Sequence, residues 1–450
     1  MTIQEMAAVC GGTLVASEEA QKLTIGNVFM DSRKIEKGDV FVAAPGERVD
    51  GHDYIDSVYE KGASCVICER APKEAKGAYL LVENSIAALK KLAEGYRRTL
   101  QLPVVGITGS VGKTSTKEFV AAVLEQKFAT LKTAGNQNNT LGLPMMVLQI
   151  KQQHTAAVLE MGISDFGEMT ELSNEAKPDI CVITNIGQCH LEFLHSRDGI
   201  LKAKTEIFTH MAKDGTVILN GDDDKLCQIS EVHGKAPIFY GLSKAHAYYA
   251  DAIEDQGLFG SVCVIHTPKG EKKVRVPLPG RHMIYNALAA AAVGETLGMA
   301  LEEIAKGIES VQPLGGRSHI IRAEKYTLID DCYNASPASM KGALELLGTA
   351  TGRRVAILGD MFELGEKENE LHAQVGNSAV GNADLLLCVG VRSKFMYDAA
   401  VAAGVSAVHY ETLEQLLANA DADLQAGDTI LIKASHGMEF GKVVRALGGE

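Results

Sequence analysis

The chain predicts an α/β protein of three units. These are a small α/β N-terminal domain over residues 1–98, a central parallel-sheet domain over 99–314, and a C-terminal Rossmann-like α/β domain over 315–450. Three observations lead there. At 450 residues the chain is long enough for two or three separate cores. Short apolar runs alternate with helical patterns along its length, as in parallel sheets covered by helices. One glycine-spaced turn, in PVVGITGSVGKTSTK (Pro103 to Lys117), joins an apolar run to a helix start.

Composition narrows the functional classes. Hydrophobic residues make up 46% and charged residues 22%, ordinary for a soluble globular protein. A formal net charge of −13 argues against broad binding to nucleic acid or to anionic membranes. An anionic substrate must then be held by local clusters of Lys, Arg and backbone N–H. The first residues, MTIQEMAAVCGGTLVAS, lack the basic start and apolar core of a signal peptide. No uncharged apolar run reaches membrane-spanning length, since Gly294 and Glu295 break the Ala-rich stretch from Asn286. Nine scattered cysteines fit a reducing, cytoplasmic location. Cys65 and Cys68 lie in the strand-like SCVIC, where they face opposite sides, which argues against zinc or redox use.

In the first unit, apolar runs and glycine turns alternate through DSRKIEKGDVFVAAPGERVDGHDYIDSVYEKGASCVIC. Ser32 and Arg33 could offer a hydroxyl and a guanidinium to a phosphate or nucleobase, although taken alone the stretch reads first as a solvated turn. A helix over Ser85 to Leu100 connects to the central unit, and its basic residues Lys90, Lys91, Arg97 and Arg98 read as a solvated face.

The central unit begins with a buried strand over Pro103 to Thr108, followed by Gly109-Ser110-Val111-Gly112 and a helix opening at Lys113-Thr114-Ser115. Gly109 and Gly112 permit positive φ and leave room for backbone N–H groups to converge on phosphate oxygens. The helix dipole adds positive charge at the same point. Lys113 reaches terminal phosphates and the Thr114 hydroxyl suits Mg²⁺, so the stretch reads as an ATP site. The strict P-loop pattern wants glycine at position 107, where Ile107 stands, with Gly106 one step early.

Strand-like runs recur at TAAVLEMG, DICVITNIG and TVILNGDD. Catalytic groups in parallel sheets collect at the carboxyl ends of strands. Glu160 closes one such strand, and Asn185 and His190 follow the next. A carboxylate and a neutral imidazole beside triphosphate both suit a Mg²⁺ shell. Lys202, Lys204 and Glu206 follow in a helix. The third unit carries strands at YTLIDD, RRVAILGD, ADLLLCVG and DTILIKAS, with polar turns at Asp331 to Asn334, at Asp360, and at Lys433 to His436.

Together these stretches resemble the Mur ligases, the ATP-dependent amino-acid ligases of peptidoglycan synthesis, over nearly the whole chain. The residues that carry the likeness are DSRKIEKGDVFVAAPGERVDGHDY, GSVGKTSTK, GNQNNTLGLP, EMG, TNIGQCHLEFL, AKTEIF, LPGRHMIYNALAAAA, GGR, DDCYNASPASM and LGDMFELGEKENELH. Their order and spacing carry more weight than any one piece. The family's own phosphate-loop spacing accounts for Ile107. Two departures stand out: His195 where glycine is frequent, and His436, in KASHGM, where an arginine is usual.

The resemblance implies a monomeric enzyme using ATP and two Mg²⁺ ions to join D-Ala-D-Ala to a UDP-MurNAc-tripeptide through an acyl phosphate. Lys113 and Arg317 are implied at the γ-phosphate, and Thr114 and Glu160 at the first Mg²⁺. His190 is implied at the second Mg²⁺, with Lys204 as an N-carboxylated ligand. His282, Asn286, Asp331 and Tyr333 would meet adenosine. Ser32, Arg33, Asn138, Asn139, Asn334, Asp360, Lys433 and Ser435 would meet the peptide and nucleotide-sugar substrates. Two rivals remain: an amide ligase such as folylpolyglutamate synthase, and a non-catalytic nucleotide-dependent binding or switch protein.

Overall fold

A computed structural model describes residues 1–46 and 49–448. The chain builds three sheets, of five, nine and six strands. The first has the spatial order Thr13–Val15, Ala78–Leu81, Cys65–Cys68, Val40–Val42, Val28–Phe29, and only its first pair is antiparallel. Helices Ile3–Cys10 and Ser85–Arg97 cover one face with Ile3, Met6, Leu89 and Leu92; helix Ile55–Glu60 covers the other with Val58. Burying each such aliphatic side chain contributes about 1.5–3 kcal/mol. Cys65 falls in the first of these clusters and Cys68 in the second, as strand alternation requires.

The connecting helix ends at Arg97, and its basic residues are not all a solvated face. The Arg97 guanidinium is buried and donates to Ala176 O (2.7 Å), Lys177 O (3.0 Å) and the Asp179 carboxylate (3.0 Å). A buried cation is tolerated only when its donors are used in this way. Arg97 therefore anchors the first unit to the second.

The nine-stranded sheet runs Gly270–Val276, Ser261–Thr267, Tyr248–Asp255, Ile238–Gly241, Thr216–Asn220, Ile180–Ile183, Val104–Thr108, Ala156–Glu160, Thr130–Lys132. It is parallel from Thr130–Lys132 through Tyr248–Asp255, but the last two strands are antiparallel, which the expectation of a purely parallel sheet omits. The reason is local. Residues 261–276 alternate buried and open positions around a tight turn, so they pair as a hairpin with one face open.

Strand Val104–Thr108 is buried throughout and lies between the strands ending at Glu160 and Ile183. A Cβ on Gly106 would come within 2.9 Å of Met161 Sδ and 3.2 Å of Pro178 Cβ. Gly106 thus serves strand packing, not phosphate contact. The following helix, Lys113–Leu124, packs against helices His282–Thr296 and Leu301–Glu309. The approach is close: a Cβ on Gly307 would lie 2.4 Å from Val123 Cα. The start of His282–Thr296 is thereby set beside the glycine loop.

The third sheet runs His319–Arg322, Thr327–Asp330, Thr429–Lys433, Arg354–Gly359, Leu385–Val389, Ala407–Tyr410 and is parallel except for its first pair. Helices Pro337–Gly348, Glu368–Ser378 and Ser393–Ala402 pack on one face, and Leu413–Asp423 and Gly441–Gly448 on the other. Among the described residues no helix is long and apolar enough to cross a membrane.

Candidate active site

A cavity of about 930 Å³ opens between the second and third sheets, at the carboxyl ends of their strands. One wall is the glycine loop with Lys113, Thr114 and Ser115, together with Asn138, Asn139, Glu160, His190, His282 and Asn286. The facing wall holds Arg317, Asp331, Tyr333, Asn334, Lys433, Ser435 and His436. A volume of this size accommodates a nucleotide and part of a second ligand.

The loop is pinned from the neighbouring strand. Gly109 has φ +149°, and a Cβ there would fall 1.9 Å from Thr184 Oγ1, so no other residue fits. Gly112, at φ +83°, caps the helix in the left-handed region. Ser110 N and Val111 N donate to Asn185 O and Oδ1, both at 3.0 Å, while Asn185 Nδ2 and Thr184 Oγ1 donate back to Val111 O at 2.9 and 2.7 Å. The loop shape is thus held by bonds within the protein. The first-turn amides of the helix have no carbonyl ahead of them and point toward the cavity end of the dipole. Lys113 Nζ rests on Gly109 O at 2.9 Å, ready to exchange that carbonyl for phosphate oxygen.

Thr114 Oγ1 donates to Glu160 Oε2 at 2.8 Å, and Asn138 Nδ2 donates to Glu160 Oε1 at 2.8 Å. Glu160 is 2% exposed, and its backbone N–H is fixed by Thr133 Oγ1 at 2.9 Å. Among the described residues no group of three or more His, Cys, Asp and Glu side chains is placed to hold a metal. One hydroxyl beside one carboxylate is the donor set of a Mg²⁺ ion that brings phosphate oxygens and water with it. The residues present fit that ion.

His190 has φ +51° and its Nδ1 meets Glu363 Oε2 at 2.5 Å, across from the third unit. Lys204, in helix Arg197–Thr205, is 1% exposed and is not among the residues that line the cavity. Burial draws its ammonium down to about 8, with Lys113 adding to the shift against Cys189. Asn286 is turned inward: its Oδ1 accepts from Thr116 Oγ1 at 2.9 Å, which ties the two packed helices together.

On the facing wall, Arg317 stacks on Tyr333, its Cζ 3.9 Å from the ring centre. Asp331 accepts from Ser318 N at 3.0 Å and pairs with the buried Lys433 at 2.7 Å. Lys433 Nζ also donates to Asn334 O at 2.8 Å, and Ser435 Oγ accepts from Phe362 N at 2.9 Å. These two side chains brace the wall as much as they line it.

Besides Gly109 and Lys204, which do not line the cavity, three expected site residues lie outside it. Asp360 is 4% exposed and its carboxylate accepts from Ser393 N at 2.7 Å, so it caps a helix start and does not face a substrate. Ser32 and Arg33 belong to a short turn of the first unit, where Arg33 forks onto Asp31 (both bonds 2.9 Å) with its side chain exposed. The Asp31 carboxyl is held down to about 2 by those hydrogen bonds. Conversely, the loop-pinning role of Thr184 and Asn185 and the contact of Glu363 were not foreseen. The TN dipeptide after a strand and the ELG turn were in view, but not their partners.

The comparisons agree with this layout. The family model for the Mur ligase middle domain matches residues 107–294, that for the Mur ligase glutamate ligase domain matches 316–436, and that for the Mur ligase family catalytic domain matches 24–97. The UDP-N-acetylmuramoyl-tripeptide–D-alanyl-D-alanine ligase of Bacillus subtilis (strain 168) is 35% identical, with 99% of this chain and 98% of that one aligned. The crystal structure of MurF from Acinetobacter baumannii superposes with a TM-score of 0.90 at 32% identity, covering 100% of this chain and 99% of that one. The MurF ligase from Thermotoga maritima in complex with ADP gives 0.83 at 29% identity, covering 95% and 98%. The chain is a member of the Mur ligase family, whose members are ATP-dependent ligases.

Proposed function

We propose that this chain joins D-alanyl-D-alanine to a UDP-MurNAc-tripeptide at the expense of ATP, and that it acts as a monomer in the cytoplasm. The observation that carries the reading is the cavity itself, with the pinned phosphate loop and the Thr114–Glu160 pair facing Arg317 across the unit junction. The names of the full-length relatives and the ADP in a structural neighbour support the choice of substrates and nucleotide. We divide the chain into a substrate-binding unit (1–98), an ATP-binding unit (99–314) and a unit for the incoming dipeptide and part of ATP (315–450). Each division encloses one of the three sheets.

A carboxylate does not condense with an amine unaided, because its oxygen is a poor leaving group. In this reading a tripeptide carboxylate oxygen attacks the γ-phosphorus and ADP departs. The dipeptide amine then adds to the acyl phosphate carbonyl, and the tetrahedral adduct expels phosphate and loses a proton. Such transfers ask the protein for positioning and charge neutralisation. Lys113 and the helix-start amides take the β- and γ-phosphates, and Arg317 leaves Tyr333 to meet the transferring phosphoryl group. Thr114, Glu160 and His190 would hold Mg²⁺, which when bound offsets phosphate charge. Lys204 would join them after carboxylation; its lowered pKa makes the neutral amine that CO₂ requires accessible. His282, Asp331 and Tyr333 take adenosine. Asn138, Asn139, Asn334, Lys433 and Ser435 bound the peptide side, and Ser32 and Arg33 the uridine end. Closing the two walls keeps water from the acyl phosphate.

The test is phosphate release with ATP, Mg²⁺ and UDP-MurNAc-tripeptide, with and without D-Ala-D-Ala. Release that depends on the dipeptide, with product mass equal to the UDP-MurNAc-pentapeptide, is expected. Release with folate and glutamate instead would overturn the substrate. Silence in all mixtures, with nucleotide still bound, would favour a switch protein.

A further inference from the structure

We infer that Glu363, supplied by the third unit, is the positioning residue that sets the ring of His190, so that its Nε2 is presented to the site where Mg²⁺ would bind only while the two units are docked. This rests on the reading above of His190 at Mg²⁺. The pair joins residues 173 positions apart, with Nδ1 and Oε2 at 2.5 Å. An ionised carboxylate can only accept, so the contact holds Nδ1 as the donor and turns Nε2 away from Glu363, toward the cavity. A carboxylate on the far nitrogen of a ligating histidine fixes both tautomer and ring orientation.

Two features separate this contact from an ordinary surface ion pair, which contributes little. Both partners hold left-handed backbone, φ +51° at His190 and +60° at Glu363. Such backbone is strained for residues other than glycine and persists where the surroundings over-determine it. The surroundings here do so. Leu191 packs against the cores of both units. Gly365, at φ +64°, lies in van der Waals contact with Glu192, a Cβ there falling 3.5 Å from Glu192 Cα. Phe362, beside Glu363, is tied through its N–H to Ser435 Oγ at 2.9 Å. Both side chains line the cavity. The ring is therefore oriented by one unit and carried by the other, so site assembly and docking are one event.

The test uses the full chain labelled with ¹⁵N-histidine, the His190 signal being assigned by its loss in His190→Gln. At alkaline pH without added metal, where imidazole is neutral, two-bond ¹H–¹⁵N spectra are expected to show His190 as the Nδ1–H tautomer. Glu363→Ala should lose that signature, and Glu363→Gln, whose amide oxygen still accepts, should retain much of it. In steady-state turnover, Glu363→Ala is expected to raise the half-saturating Mg²⁺ about 10–100-fold and lower kcat at fixed Mg²⁺, with KM for the dipeptide unchanged. A Glu363→Ala protein with the wild-type tautomer and Mg²⁺ dependence overturns the inference. His190→Ala separates the two levels. If it leaves the Mg²⁺ dependence untouched, the metal reading of His190 falls. If it shifts the dependence while Glu363→Ala does not, only the positioning role falls.

Discussion

Thr114→Val removes one oxygen and little volume, and acts on a buried polar contact of the phosphate site. In the nucleotide-free protein the Thr114 hydroxyl is one of two donors to Glu160, at 2.8 Å, with Thr114 5% and Glu160 2% exposed. Valine leaves Oε2 of a buried carboxylate without its donor. A hydrogen bond to a charged group contributes about 1.5–3 kcal/mol, and an orphaned buried acceptor carries its full desolvation cost. For a unit of this size that is a fall in melting temperature of about 3–12 °C, at 2–4 °C per kcal/mol. The second effect appears only with ligand. If the hydroxyl also ligates Mg²⁺, the extra stability conferred by MgADP should shrink by about 1.4 kcal/mol for each tenfold loss of affinity, while that conferred by ADP with chelator should not. Thr114→Ser keeps the hydroxyl and should behave as wild type in both respects. Thermal unfolding followed by calorimetry, with and without MgADP, reads both effects. A valine variant that melts with wild type and gains as much from MgADP would refute the reasoning for Thr114 and, with it, the Mg²⁺ assignment of Glu160.

Other outcomes follow from the same geometry. Gly109→Ala drives a Cβ into Thr184 Oγ1 and must break the pinning bonds, so nucleotide binding should be lost in calorimetric titration while the far-ultraviolet spectrum stays native. Arg33→Ala, far from the cavity, should raise KM for the UDP-linked substrate and leave MgADP affinity unchanged in the same titration; a loss of nucleotide affinity would contradict its placement. Glu175 lies 2% exposed, with Oε2 unpartnered, and burial pushes its carboxyl from 4.5 up to about 8. It is neutral in the folded chain at pH 7 and ionised in the unfolded one. The stability tied to this group is therefore complete below about pH 4.5 and is lost as pH rises toward 8, at no more than about 1.4 kcal/mol per unit. Urea unfolding should find Glu175→Gln more stable than wild type at pH 8, with the gap closing toward pH 5.

What could be read from the chain alone was what is local. The glycine loop, the strand before it and the helix after it lie within one short stretch, and their chemistry follows from residue type and spacing. Glu160 and His190 were legible because parallel sheets collect polar groups at strand ends. The misreadings were all matters of partner choice. Arg97 looks like surface charge in a basic helix, yet three acceptors from around residue 177 bury it. Asp360 follows a strand like a site residue, yet its carboxylate is spent on Ser393. Asn185 and Glu363 act on residues 74 and 173 positions away, and no periodicity reports such pairings. Topology was read incompletely as well: the antiparallel hairpin at 261–276 and the third sheet's strands His319–Arg322 and Ala407–Tyr410 are not among the expected strands.

The most direct test of the central claim is to supply the tripeptide substrate with its terminal carboxylate labelled with ¹⁸O and to weigh the released phosphate. If the carboxylate attacks the γ-phosphate between the loop and Arg317, one labelled oxygen must leave with phosphate when the dipeptide amine takes its place. Phosphate carrying one ¹⁸O per turnover, formed only when D-Ala-D-Ala is present, is expected. Unlabelled phosphate would mean that water or another acceptor takes the phosphoryl group, and would contradict acyl-phosphate ligation by this chain.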